Sequence, residues 1–299
     1  MIKKIIILGG QGFVGLNISK YFLAKKKNYK LILIGNKTKL KKIFTKKEKA
    51  KLIIHNIDIY EVGKLPCEIF RDAIIINAFL MTKISFKNFK KNYFKLCKFL
   101  EKNSINKLIL LSSISVYGKT NKTIISEKNV VNPISDYGKR CAVAEKISEK
   151  FFKKKLITLR IANIFGEYRF KNGTIEKIVA NLVTKSKYHL TDPNLKRTYI
   201  NASTLVKIIS IIIDKNIKKK LLINISNPNY IFNFKTLNIL ISKILKKKIL
   251  YYPKNKQIKN NHDSVCIPKT FVKKFNYKFI NNFAEELFHI AKFIKNNKK

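Results

Sequence analysis

The chain has 299 residues, enough for one large domain or two modest ones, and 46% hydrophobic content supports a real core. Lys and Arg number 64 against 17 Asp and Glu, a net charge of +47, yet all but five of the cations are lysines and no segment interleaves basic with aromatic residues, which argues against nucleic acid as a partner. Four scattered cysteines form no CxxC pair, against a zinc site or a disulfide framework, and no apolar run approaches the ~18 residues of a membrane span. Abundant Lys, Ile and Asn without Trp read as codon bias laid over solvated helix faces. The N-terminal run "IIILGG" is too short for a signal-peptide core, and a cytoplasmic protein is expected.

Short apolar runs recur at 4–9, 30–35, 73–78, 107–112, 156–161 and 221–226. Each is rich in β-branched residues and does not alternate, the pattern of strands buried on both faces of a parallel sheet. Stretches of helical period lie between them, as at 15–27, 85–103 and 135–154. The alternation predicts an α/β fold, a doubly wound parallel sheet with right-handed crossovers. Beyond about residue 165 it weakens and loops dominate, so the expected division is 1–164 for a dinucleotide-binding domain and 165–299 for a smaller substrate-binding region. Segments near 197–226 are expected to pack back on the first domain, and the tail "IKNNKK" to be frayed.

Residues 7–16, "ILGGQGFVGL", hold four of the ten glycines in the chain. Gly9, Gly12 and Gly15 have the spacing GxxGxxG, between a buried strand and an amphipathic helix. Gly9 allows the tight turn, Gly12 lets a pyrophosphate approach the backbone at the positive helix N-terminus, and Gly15 lets helix and sheet pack closely. Gln11, Phe13 and Val14 complete the cofactor-facing turn. The pattern makes the sheet Rossmann-like and the ligand a dinucleotide.

This spacing resembles the short-chain dehydrogenase/reductase superfamily, and other stretches narrow the resemblance to its extended branch, the nucleotide-sugar epimerases and dehydratases. "LLSSISVYG" (110–118) is similar to the family strand carrying a catalytic Ser or Thr, here Ser113. "NPISDYGKRCAVAEKI" (132–147) is similar to the segment with the catalytic Tyr, here Tyr137. "LRIANIFGE" (159–167), "KRTYINASTLV" (196–206) and "LLINISN" (221–227) follow in family order. The resemblance implies that Tyr137 moves the proton of a sugar hydroxyl while hydride passes to or from a nicotinamide, with Ser113 orienting the same oxygen. It also implies cofactor contacts at Asp58, Ile59, Asn77, Ala78 and Asn88, and diphosphate contacts at Asn163 and Arg197. No metal is implied.

Two departures stand out. The family pattern is YxxxK, and Cys141 stands where the lysine belongs, so the fixed positive charge that lowers the tyrosine pKa is missing there. At the end of the second strand, Gly35, Asn36 and Lys37 replace the usual NAD-selecting acid. Nothing there repels a 2′-phosphate, and the lysines favour NADP, with NAD as the alternative. The expected function is a nucleotide-sugar oxidoreductase of epimerase or 4-ketoreductase type, in surface polysaccharide synthesis, with a homodimer allowed. The dehydratase reading lacks a carboxylate pair beside Ser113. The alternative, made credible by Cys141, is a non-catalytic dinucleotide-binding protein serving as redox sensor or assembly factor.

Overall fold

The computed structural model describes residues 3–25, 29–35, 43–80, 84–119, 124–169, 173–184, 188–190, 193–247, 251–253 and 263–297. Within them the strands are β1 (Lys3–Leu8), β2 (Tyr29–Ile34), β3 (Leu52–His55), β4 (Ile74–Asn77), β5 (Lys107–Ser113), β6 (Leu156–Ile161), β7 (Asn163–Phe165), β8 (Tyr188–Leu190), β9 (Lys196–Asn201), β10 (Leu221–Ile225), β11 (Ile231–Asn233) and β12 (Tyr251–Pro253). The helices are α1 (Phe13–Ala24), α2 (Lys46–Lys49), α3 (Phe86–Lys102), α4 (Asp136–Phe152), α5 (Thr174–Thr184), α6 (Ala202–Asp214), α7 (Phe234–Leu245), α8 (Lys269–Phe275) and α9 (Phe283–Asn296).

A seven-stranded sheet runs in the order β10-β6-β5-β4-β1-β2-β3. All six apolar runs of the sequence are strands of it. The seventh, β3, pairs in parallel with β2 at the edge. Every residue of β5 and β6 is buried, as is the second half of β1, which is why these runs carry no polar alternation. The chain leaves β1 for β2 on one side and returns to β4 on the other. A crevice therefore opens at the carboxyl end of β1, where open α/β sheets bind their ligands.

The three helices expected from period are present. Ser85 caps α3 by accepting from the Asn88 amide at 3.2 Å, and Ser135 caps α4 by accepting from Gly138 at 3.0 Å. On α3 the buried residues Phe89, Tyr93, Leu96, Cys97 and Leu100 repeat at helical spacing. They join Ala144, Ile147 and Phe152 of α4 in one apolar cluster against Ile6 and Leu8 of β1.

The chain forms two compact units, and each is discontinuous. The first comprises Met1–Val116, Ser135–Arg160 and Val206–Leu222; the second comprises Tyr117–Ile134, Ile161–Leu205 and Ile223–Lys299. Expected boundaries at 164 and 165 thus lie close to one crossing of the chain, but 117–134 belongs to the second unit and 206–222 to the first. Far from being mostly loop, the second unit holds α5, α7 and α9 around a core of Phe165, Ile178, Tyr230, Leu237 and Leu287. The C-terminal segment is helical through Asn296 where fraying was expected, because Ile290 and Ile294 are buried in that same core. Among the described residues no helix is long and apolar enough to cross a membrane.

Candidate active site

The glycine turn is built as sterics demand. Gly9 has φ +78, a conformation that costs a residue with a Cβ. Its amide donates to Ile34 O at 2.9 Å, and its carbonyl accepts from Gly12 N at 2.8 Å. A Cβ on Gly15 would drive into Gly9 O and the Gly10 backbone, so helix and turn touch only because that carbon is absent. A Cβ on Gly12 would meet one neighbour, Gly9 O at 3.2 Å, and otherwise open space. Among the described residues that backbone oxygen is the one close contact a side chain at 12 would make. Gly12 is also the N-cap of α1 and supplies no side-chain cap; no acidic residue lies in the first turn. Phe13 and Val14 are only half-buried. With no side-chain cap and no acid in its first turn, this helix end fits a dinucleotide pyrophosphate.

Gln11 is placed differently. It is buried, and its Nε2 donates to Gly35 O at 2.8 Å and to Asn56 Oδ1 at 2.7 Å. It ties the turn to the chain just beyond β2 and β3. Gly35 stands at the position of the family acid, and its carbonyl is taken up by Gln11. Asn36 and Lys37 lie outside the described residues. Asp58 accepts from Tyr60 N at 2.9 Å and caps the 3-10 turn that buries Ile59. Asn77 is buried: its Nδ2 donates to Tyr93 Oη at 3.2 Å and its Oδ1 accepts from Phe79 N at 3.1 Å. Its side chain thus shapes the turn after β4, leaving the half-buried Ala78 beside it. Asn88 is exposed on the first turn of α3.

Ser113 ends β5, and its Oγ donates to Ser115 Oγ at 3.1 Å and accepts from Ser115 N at 3.2 Å. Tyr137 lies in the first turn of α4 and is 42% exposed. One turn on, Cys141 is fully buried. Burial pushes its pKa up to about 12, with the Tyr137 phenol and the Ser112 hydroxyl acting in the opposite direction. A neutral thiol therefore stands one helical turn beyond Tyr137.

Two buried arginines, Arg140 and Arg160, each hold an acid. Arg140 is buried, donating to Asp136 Oδ2 and Ile84 O, each at 2.8 Å, with its guanidinium over the Phe89 ring. Arg160 grips Glu145: Nε is 3.0 Å from Oε1 and Nη2 is 2.6 Å from Oε2. Ser112 donates to Glu145 Oε1 at 2.5 Å. Ser112, Glu145 and Arg160 were not picked out from the sequence. A signal existed, since an arginine inside the apolar run "LITLRI" requires a buried acid.

The remaining motif residues fall in the second unit. Asn163 on β7 donates its Nδ2 to Thr198 O at 3.1 Å, which places it beside Arg197 on the adjoining β9. The Arg197 guanidinium lies 6.0 Å from the Phe234 ring. The tyrosine and glycine of "VYG" prove structural. Tyr117 is buried and donates to Asn224 Oδ1 at 2.7 Å. Gly118 has φ +60, and a Cβ there would collide with Asn132 O. Glu176 is buried in α5 and accepts from the Gly166 amide at 2.9 Å; burial raises its pKa, with Arg169 acting in the opposite direction.

A dTDP-D-glucose 4,6-dehydratase of Dictyostelium discoideum is 28% identical over 247 residues, an alignment covering 72% of this chain and 56% of that protein. The chain thus spans little more than half the length of that relative. Among solved structures, a dTDP-glucose 4,6-dehydratase from Bacillus anthracis in complex with NAD matches with a TM-score of 0.83 at 21% identity, covering 99% of this chain and 97% of that one. A UDP-N-acetylglucosamine 4-epimerase from Methanobrevibacter ruminantium matches with a TM-score of 0.85 at 18% identity, covering 99% of both chains. At such identities the structures attest the shared fold. The family model for the NAD dependent epimerase/dehydratase family matches residues 5–226, the span that holds the glycine turn, Ser113 and Tyr137, and the chain belongs to that family.

Proposed function

We propose that the protein is an NAD(P)-dependent oxidoreductase acting on a nucleotide sugar, of the epimerase or 4-ketoreductase type, in surface polysaccharide synthesis. The observation that carries this is the pairing, in one compact unit, of an open glycine cradle with an exposed phenol at the head of α4. Gly9, Gly12, Phe13, Val14 and Gly15 would hold the pyrophosphate. Asp58, Ile59, Ala78 and Asn88 would line the remainder of the dinucleotide. The nicotinamide, when bound, supplies or accepts the hydride.

Tyr137 carries the proton of the reacting sugar oxygen, and Ser113 holds that oxygen in line. Asn163 and Arg197 are the candidates for the nucleotide diphosphate, since the planar fork of Arg grips phosphate bidentately. Lys37 is the candidate that favours NADP over NAD. The reading allows a homodimer.

Mass spectrometry of co-purifying small molecules, followed by turnover with nucleotide sugars under NADH and NADPH, tests the reading. Tight dinucleotide binding with no turnover on any sugar nucleotide would favour a non-catalytic sensor instead. Lys37→Glu should weaken NADPH selectively, and equal affinities in the parent protein would remove the NADP preference.

A further inference from the structure

We propose that Tyr93, on α3, is a positioning residue for the dinucleotide: through Asn77 it holds the turn after β4 as one wall of the glycine cradle. This rests on the dinucleotide reading above and adds to it a residue that the cofactor itself need not touch.

Hydrogen bonds of fixed direction run inward from that turn. The Phe79 amide can only donate, and Asn77 Oδ1 accepts from it at 3.1 Å. That fixes which way the carboxamide faces, so Nδ2 is turned inward and donates to Tyr93 Oη at 3.2 Å. The phenol in turn lies 2.9 Å from Ser148 Oγ on α4. Asn77, Tyr93 and Ser148 are all buried, and burial raises the Tyr93 pKa well above its ordinary value, so the phenol stays neutral. Packing alone does not call for the hydroxyl: the Tyr93 ring stacks on Phe89 with centroids 5.7 Å apart, and a phenylalanine would fill that place. Without the phenol oxygen the Asn77 amide would be buried with a donor unsatisfied, which costs more than the bond itself is worth. The carboxamide would then turn to find another partner and release the Phe79 amide.

The turn held in this way touches both ends of the cradle. A Cβ on Gly9 would stand 3.0 Å from Phe79 Cβ and 3.1 Å from Ala78 O, so the glycine turn closes directly against it. Ala78 N donates to Leu8 O, at the end of β1, at 3.0 Å. On its other side the Phe79 ring meets Tyr60 edge to face, with centroids 5.9 Å apart, in the 3-10 turn capped by Asp58. Loosening residues 77–79 therefore disturbs the Gly9 end and the Asp58 end together. Every residue of this set belongs to the first compact unit.

The test sets Tyr93→Phe beside Ser148→Ala, each of which removes one buried hydroxyl from the same cluster. Three quantities are read on the whole protein: dissociation constants for NADH and NADPH, melting temperature, and hydrogen exchange at the Phe79 amide. Tyr93→Phe should weaken the dinucleotide that the parent binds about tenfold and speed Phe79 exchange about tenfold. Ser148→Ala should stay within about twofold on both, at a similar cost in melting temperature, because Asn77 keeps its acceptor. Asn77→Ala should weaken binding at least as much as Tyr93→Phe, and adding Tyr93→Phe to it should cause no further loss. Parental affinity in Tyr93→Phe, an equal loss in Ser148→Ala, or additive losses in the double variant overturns the proposal and leaves Tyr93 a core residue. Failure of the parent to bind either dinucleotide would instead sink the dinucleotide reading and this proposal with it, and would show before any variant is made.

Discussion

The first turns of α1 and α4 face the same kind of task and meet it by opposite means. At α1 the work is done by backbone: Gly12 and Gly15 contribute absence, one leaving room for an anion and the other letting helix and turn touch. At α4 the work is done by side chains, from the exposed Tyr137 down to the buried Glu145–Arg160 pair. A steric demand of this kind has one answer among the amino acids. An electrostatic one has several, which on the proposed reading lets a cysteine stand at 141 while glycines are kept at 9, 12 and 15.

The largest effect expected is at α4. Tyr137→Phe should lower turnover about 10²- to 10⁴-fold, the usual worth of a general acid or base, while dinucleotide affinity is kept. Full activity in that variant would erase the contrast by moving the chemistry elsewhere. Next comes the anchor. Arg160→Met leaves a buried carboxylate unpaired and should lower the unfolding free energy by about 3–5 kcal/mol in denaturant titration. Adding Glu145→Leu should restore much of that loss. A cost near zero in the single variant would show that the ion pair anchors nothing.

Breaking the backbone side of the comparison takes Gly12→Val. Dinucleotide affinity should fall about 100-fold, or roughly 2.7 kcal/mol, with little change in melting temperature, since among the described residues the new Cβ would meet only Gly9 O, at 3.2 Å. Gly15→Val should instead destabilise the fold itself. Loss of fold in both variants would mean that Gly12 serves packing.

A smaller effect belongs to Ser113→Ala, where one orienting hydrogen bond is lost and turnover should drop about tenfold. The least is chemical. Cys97, Cys141 and Cys266 are buried with pKa values near 12, while Cys67 is exposed. The fold favours their neutral thiols. That stabilisation is complete below the ordinary thiol value of 9.0 and is lost as pH climbs toward about 12. Alkylation of native protein at neutral pH should therefore label Cys67 alone, as read by peptide mass spectrometry.

The same division decides what could be read from the sequence. The six runs that became β1, β2, β4, β5, β6 and β10 are buried and apolar, so burial wrote itself into composition. β3 escaped notice because "LIIH" is a short edge strand with Ile53 exposed. Gly9, Gly12 and Gly15 were legible for steric reasons. Gln11 was read as facing the cofactor, and no local pattern announces that its side chain also reaches Gly35 and Asn56, partners 24 and 45 residues away. Ser112 and Glu145 stand 33 residues apart, and no local pattern joins them. The glycine frame was legible, and the buried cluster of Ser112, Glu145 and Arg160 was not.

The crossing of the chain between units has a consequence for synthesis. The unit bearing the glycine turn is completed only by Val206–Leu222. A ribosome adding roughly 5–20 residues per second must therefore make much of the second unit before the first can close. Until then Leu156, Ile157 and Leu159 of β6, all buried in the finished protein, await β10 as neighbour. An unpaired apolar strand edge of this kind invites pairing with other nascent chains. A fragment ending near residue 164 should accordingly aggregate, and its rescue should require the distant stretch that ends with β10 at Ile225 rather than the residues that immediately follow the cut.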